Sequence, residues 1–308
     1  MADPALIVGS LEDEHVQAVL TAMGSLSPLV FDTARLEQDE FLLDGGNFVV
    51  GAGDRLDQLR LAGARGWVRR LSPPGWRMGA IGGSRDSAVR GAWIALTLGI
   101  ASNIDVDWLT PYPLLIGAEN KLRQARHANR LGIRVPRTVV ASRSEGIPDD
   151  FGDEFVVKPL GAGHFIQADG EARVLWAQTL RRGDERLAAL RGAPFLVQEQ
   201  IPARRHLRVV TVKDRVWSCD LLADDLPLDW RRSDDAHHAF RAAREPKVEE
   251  AARRLAIDMG LGYSSQDWID TGEDAVFIDL NPAGQWLFLP EPVNDAVADA
   301  IADHLRGA

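Results

Sequence analysis

The chain has 308 residues, 45% apolar and 26% charged, long and apolar enough to bury a substantial core and outside the composition of disordered chains. Its formal net charge of −10 excludes nucleic acid as the main partner, because that affinity comes largely from neutralised phosphates. No stretch reaches the roughly 18 apolar residues of a membrane span, Asp3 stands where a signal peptide would be basic, and the lone Cys219 excludes an intramolecular disulfide, so the cytoplasm is the expected compartment.

The run Ala5-Leu6-Ile7-Val8-Gly9 reads as a strand, and Val16, Val19, Leu20 and Met23 give the segment after it one apolar helical face. Phe48-Val49-Val50 and Gly66-Trp67-Val68 repeat the strand signal. Val89, Trp93, Leu96 and Leu98 suggest a helix between the breakers Pro73-Pro74 and Pro111-Pro113, so residues 1–115 read as a small α/β domain. A second organisation begins near Glu119. Leu122, Ala125, Ala128 and Leu131 recur at three-residue spacing and predict a helix headed by Lys121 and stopped by Gly132. Strand signals follow at 138–140, 155–158 and 195–200, then a hairpin from Leu207 to Leu222 turning at Lys213-Asp214. Within it, Cys219 reads as a buried structural thiol. Pro246 opens a helix that stops at Gly260, and Val293, Val297, Ile301 and Leu305 form one core-facing stripe on a last helix.

The segment richest in chemistry is Asp267-Trp268-Ile269, a polar turn, then Ile278-Asp279-Leu280-Asn281-Pro282. An antiparallel register setting 267 opposite 277 or 279 puts Asp267, Asp279 and Asn281 on one face, because side chains alternate with period two. Hard Mg²⁺ takes such oxygens and completes its shell with water and phosphate. The same residues read equally well as solvated charges on an exposed hairpin. Lys158 ends an otherwise apolar strand, and a buried ammonium needs an anionic partner. Arg204-Arg205-His206-Leu207-Arg208 is a local cationic exception, which for Arg204 and Arg205 fits a charge-protected edge strand. Gly161-Ala162-Gly163 is a weak phosphate-loop signal. His237-His238 has no companion at metal spacing and fits a surface loop, Ser264-Ser265 lies in no nucleophile pattern, and Arg241 to Arg254 reads as a solvated helix face.

Taken in order, Asn120-Lys121, Phe155-Val156-Val157-Lys158-Pro159-Leu160, Val197-Gln198-Glu199-Gln200-Ile201, Leu207-Arg208-Val209 and the Asp267, Asp279, Asn281 set resemble the ATP-grasp superfamily, RimK-like branch, over roughly residues 115–308. Asp229-Trp230-Arg231, Asn281-Pro282-Ala283-Gly284-Gln285-Trp286 and the terminal helix look like the graspetide ligases, which macrocyclise ribosomally made peptides; Arg69-Arg70 matches their N-terminal region more loosely. The resemblance implies an α/β (α+β) ATP-grasp fold with a pre-ATP-grasp domain at 1–115, a central subdomain at 116–190 and a C-terminal subdomain at 191–308. It implies ATP and Mg²⁺ as cofactors. Lys121 and Lys158 would hold phosphates, Gln198, Glu199 and Ile201 would meet the adenine, Arg208 would steady the transferring phosphoryl, and Asp267, Asp279 and Asn281 would bind Mg²⁺. Arg231 would guide the acidic core of a leader-bearing precursor peptide, unless it simply pairs with Asp229 or Asp234. Homodimer formation stays open. Two positions depart from the family pattern: Asp279 is usually Glu there, and His206 stands where an acidic residue commonly contacts the ribose.

The implied chemistry needs no protein nucleophile. A carboxylate is a poor electrophile, and phosphorylation supplies a leaving group that a hydroxyl or amine displaces. Three functions follow: ester or amide formation inside a precursor peptide, RimK-like addition of an amino acid to a carboxylate, or nucleotide-binding regulation without catalysis.

Overall fold

The structure, a computed structural model, describes residues 4–44, 46–52, 55–73, 75–76, 82–161, 163–166, 171–188, 190, 193–224, 226–233 and 235–308; Asp3, Pro74, Ala162 and Asp234 lie outside them. Strand β1 (Ala5–Gly9) leads into helix α1 (Glu14–Met23), whose first turn is capped by the Asp13 carboxylate accepting from the His15 amide. β1 is flanked by β2 (Leu29–Asp32) and, after the antiparallel strands β3 (Glu40–Asp44), β4 (Asn47–Ala52) and β5 (Arg55–Arg60), by β6 (Arg65–Val68). With β7 (Asp107–Trp108) beyond β6, the four-stranded sheet β2-β1-β6-β7 is wholly parallel. Central β1 reads as a continuous apolar run, buried at every position, because a strand inside a parallel sheet is covered on both faces. Helix α2 (Arg85–Ala101) links β6 to β7.

Helices α3 (Tyr112–Ala118) and α4 (Lys121–Arg130) follow, with Lys121 at the head of α4 and Gly132 just past its end at φ +72°. The buried face of α4 is Gln124 and Ala128, while Leu122 is exposed, so the predicted three-residue stripe is rotated. The true face follows i, i+4, i+7 through Leu131, closer to the helical period. An antiparallel sheet of order β12-β9-β13-β8 comes next, made of β8 (Thr138–Ala141), β9 (Glu154–Pro159), β12 (Gln178–Arg181) and β13 (Phe195–Gln198). The ribbon β10 (His164–Ile166) and β11 (Ala172–Val174) projects between β9 and β12, and short α5 (Glu185–Ala188) follows.

The last sheet is antiparallel, order β16-β15-β14-β17-β18. β14 (Arg205–Val212) and β15 (Arg215–Leu222) form the expected hairpin around Lys213, at φ +54°. β16 (Arg241–Ala243) precedes α6 (Pro246–Asp258), so Arg241 belongs to a strand and not to the predicted helix face. β17 (Tyr263–Asp270) and β18 (Ala275–Asn281) make the second hairpin, and α7 (Val293–Arg306) ends the chain. The edge-strand reading of Arg204 and Arg205 is overturned. β14 is central, and Arg205 donates to Asp270, Asp220 and Glu245, each at 2.8 Å. It is a structural hub.

One core cluster ties the two ends of the chain together. Val16, Val19 and Met23 of α1 meet Val297, Ile301 and Leu305 of α7, and Val210, Val212 and the fully buried Trp286 complete it. Among the described residues no helix is long and apolar enough to cross a membrane. Trp286→Ala is expected to cost about 3–5 kcal/mol, the usual range for emptying a buried aromatic site, and Trp286→Phe clearly less. Urea unfolding followed by circular dichroism checks this; equal midpoints for the two variants would show that the indole volume is not what holds the cluster.

Candidate functional site

The site is built on β17 and β18. Asp267 pairs directly opposite Asp279 and Ser265 opposite Asn281, after which the register shifts so that Trp268 faces Phe277. The bulge leaves Ile278 as an extra residue. It sends Phe277 into the core against Trp268, ring centroids 5.4 Å apart, while Ile278, Asp279 and Asn281 all line a cavity of about 380 Å³. Asp267, Lys121, Lys158, His206, Asp229 and Arg231 share that lining. The expected face of Asp267, Asp279 and Asn281 is therefore present. Two carboxylates placed opposite each other on adjacent strands repel, and two cations answer them. Lys121 Nζ is 2.7 Å from Asp279 Oδ2, and Arg208 Nη1 is 2.7 Å from Asp267 Oδ1.

Lys158 is different. It lies on β9 opposite Leu196, half-buried, and among the described residues it has no ion-pair partner. Burial lowers its pKa to about 8; Asp279 and Asp267 act against the shift, and Lys121 and Arg231 add to it. Lys121 and Lys158 also line a second, narrow slot of about 20 Å³ with Gln198, Thr138, Leu196, Phe277 and Ile278. Gln198 is held there by donating to Thr138 Oγ1 at 2.8 Å. Glu199 and Ile201 line neither cavity: the Glu199 carboxylate accepts from the Arg137 amide at 3.0 Å, and Ile201 is buried.

Arg208 is buried behind Asp267 and does not line the cavity. It donates to Gln285 O at 3.1 Å, lies 5.7 Å from the Phe288 ring centre, and keeps its Nε without a partner among the described residues. Arg231 faces the same cavity as the lysines, in contact with Asp229 through two hydrogen bonds of 2.8 and 2.9 Å. Trp230 is buried against Phe240, Phe288 and His237. His237 is thus an aromatic packing partner.

Two sets of residues escaped sequence reasoning. Buried Gln124 donates to Leu280 O at 2.7 Å and accepts from Leu280 N at 3.0 Å, pinning β18 between Asp279 and Asn281. A polar residue at i, i+4 from Ala128 was the available signal. In the second set, Asp13 accepts from Arg69 and Arg70, and Arg69 donates to the Ala283 carbonyl and lies over the Trp286 ring. Tyr263 donates to Gly284 O at 2.8 Å, and the Trp286 amide donates to His15 Nε2 at 3.3 Å. A Cβ on Gly284 would sit 2.6 Å from Ser265 Cβ and 3.2 Å from Arg208 Nη2, so this turn admits glycine alone.

Neither a protein-family model nor a curated protein sequence matches the chain. Solved structures do. The macrocyclase MdnC of Microcystis aeruginosa, bound with its precursor peptide MdnA, superposes over 99% of this chain and 100% of its own with TM-score 0.82 at 22% identity. The chain has the ATP-grasp fold. A RiPP-associated ATP-grasp ligase of Chryseobacterium gregarium, in complex with ADP and a leader and core peptide, gives TM-score 0.84 over 98% of this chain and 96% of its own at 19% identity. A RimK-domain ATP-grasp protein of Sphaerobacter thermophilus gives TM-score 0.58 over 98% of each chain at 16% identity.

Within this ATP-grasp fold the unpaired Lys158 has a signature of its own. A lysine that deprotonates near pH 8, against about 10.4 for an ordinary one, carries free amine at mildly alkaline pH. Competitive labelling with limiting acetic anhydride, read by peptide mass spectrometry, should show half-maximal Lys158 reactivity near pH 8. A midpoint in the ordinary lysine range would mean that the ammonium is solvated.

Proposed function

We propose that this chain is an ATP-dependent ligase that activates side-chain carboxylates of a ribosomally made, acidic precursor peptide as acyl phosphates and joins them to hydroxyl or amine side chains of the same peptide. The observation that carries the reading is Lys158, an ammonium without an ion-pair partner among the described residues, sharing with the Asp267/Asp279 pair a cavity large enough for a polyphosphate. The likeness in fold to MdnC and to the Chryseobacterium ligase, both solved with peptide substrates, supports the same reading.

Among the described residues no group of three His, Cys, Asp or Glu side chains is placed to hold a metal by itself. Asp267, Asp279 and Asn281 fit Mg²⁺ of the kind that takes a few protein oxygens and fills its shell from nucleotide phosphates and water. Among the described residues Asp267 Oδ2 accepts no hydrogen bond, and Asn281 Oδ1 accepts only from the nearby Ala283 amide. Bound there, Mg²⁺ would neutralise charge on the transferring phosphoryl group. Lys121 and Lys158 would grip the phosphates between the narrow slot and the large cavity. Gln198 would border the base, with Glu199 and Ile201 beside it on the strand end. Arg208, paired with Asp267, would steady the transferring phosphoryl. Arg231, braced by Asp229, would hold the peptide carboxylate at the open end of the cavity, where its side chain is 46% exposed. We place the pre-ATP-grasp domain at 1–115 and the central subdomain from 116; because β13 (Phe195–Gln198) pairs with β8 and β9, the sheet arrangement favours ending the central subdomain after Gln198 and not at residue 190, with the C-terminal subdomain running from there to 308.

The reaction is tested with ATP, Mg²⁺ and a synthetic peptide of alternating Thr and Asp, read as loss of one water per ring by mass spectrometry. Asp279→Ala and Asn281→Ala should each lower turnover by roughly 10²–10³ with unchanged circular dichroism. Near-wild-type turnover of either at limiting Mg²⁺ would remove the metal assignment. Lys158→Met should weaken binding of a non-hydrolysable ATP analogue more than peptide binding, and equal nucleotide affinity in calorimetry would make Lys158 structural. Peptide-independent binding of ATP with no turnover of any acidic peptide would overturn the ligase reading.

A further inference from the structure

The large cavity contains one ionisable side chain that none of the roles above uses. His206 lies on β14, two residues before Arg208 and opposite Ile269 of β17, with its ring half-buried in the cavity lining. Every other acid or base in that lining has a commitment. Asp279 is tied to Lys121, Asp229 to Arg231 through two hydrogen bonds, and Asp267 to Arg208. Lys158 is cationic at neutral pH. His206, like Lys158, has no ion pair among the described residues, and unlike Lys158 it has no part in holding phosphate.

Its position within the cavity is specific. Lys121 and Lys158 line both the narrow slot and the large cavity, whereas His206, Asp229 and Trp230 line only the large one. His206 shares the large cavity with Arg231 and feels the Asp229 carboxylate that braces that arginine, which sets it with the group assigned above to the peptide. We infer that His206 is the general base of the second step, removing the proton from the hydroxyl or amine that attacks the acyl phosphate. The inference rests on the ligase reading above.

The step balances simply. The nucleophile's oxygen or nitrogen bonds to the acyl carbon, the bond from that carbon to the phosphate oxygen breaks, and phosphate leaves with the electron pair. The nucleophile's proton passes to an imidazole nitrogen and from there to solvent. For this the ring must be neutral at rest, and burial does hold its pKa below the usual histidine value, against the pull of Asp267 on β17 and Asp229 in the segment before Arg231. A neutral imidazole is the side chain best matched to proton transfer near pH 7. An acidic residue at this position would instead add a third carboxylate to the Asp267/Asp279 pair.

The test separates the two chemical steps. The full chain is given ATP, Mg²⁺ and the alternating Thr and Asp peptide, with and without hydroxylamine, which attacks acyl phosphates without help from a protein base. ADP, rings and hydroxamate are measured together. In H206Q the ratio of rings to ADP should fall by about 10²-fold or more, the usual contribution of a general base, with hydroxamate taking the place of rings. Added imidazole should restore ring closure to H206A, a rescue that a packing role would not show. Rings from H206Q at the wild-type ratio to ADP would overturn the assignment. So would a raised ATP KM with that ratio unchanged, which would place His206 on the nucleotide. Absence of peptide-dependent ADP formation in the wild type would overturn the ligase reading itself, and this role with it.

Discussion

Two aspartates facing each other across adjacent strands are the constraint from which the rest of this site follows. Asp267 and Asp279 occupy directly opposed positions on β17 and β18, an arrangement that repels in the absence of counter-charge. The fold supplies one cation to each from a different direction, Arg208 from β14 and Lys121 from the head of α4. Each carboxylate is thereby answered, and a third cation, Lys158, has no ion-pair partner among the described residues. A site whose carboxylates are each paired with a cation while a further ammonium has no ion-pair partner among the described residues is poised for an anion, because binding exchanges internal pairs for ligand pairs instead of burying new unpaired charge.

The chain's other ion-pair hub shows what a structural cation looks like by comparison. Arg205, three residues before Arg208 on the same strand, satisfies its guanidinium with three carboxylates from β15, β17 and the start of α6. Each of its three nitrogens is committed to a carboxylate. Arg231 lies between these extremes: Asp229 fixes its orientation through two bonds, yet its side chain stays open to the cavity. Position along the sequence does not distinguish these arginines. Their partners do.

The turn that follows β18 couples the site to the parallel sheet at the other end of the chain. Arg69 and His15 reach Ala283 and Trp286 from the N-terminal region, Tyr263 and Arg208 reach Gly284 and Gln285 from the C-terminal sheet, and Gly284 allows the approach by having no Cβ. Asp13 neutralises Arg69 and Arg70 where they enter this buried junction. Helix α7 then packs on α1, so the hairpin carrying the acids is bounded on one side by its own strands and on the other by the first sixty-odd residues of the fold.

Much was readable from local pattern. The first strand and helix, the head of α4 at Lys121, the hairpin at Lys213, the proline start of α6 and the stripe of α7 all follow from periodicity, capping and turn chemistry, which act within a few residues. The shared face of Asp267, Asp279 and Asn281 was also legible, since period-two alternation required it in either register. Local pattern could not show that β18 bulges at Ile278, which sends Phe277 inward and Asp279 outward although they are two residues apart. Nor could it show that Arg205 is central and committed to three carboxylates, that Gln124 pins Leu280, or that Arg69 reaches Ala283 across more than two hundred residues. Those outcomes depend on which strands become neighbours, and strand order is set by how the whole set of apolar faces is buried together, an energy that no short window of sequence contains.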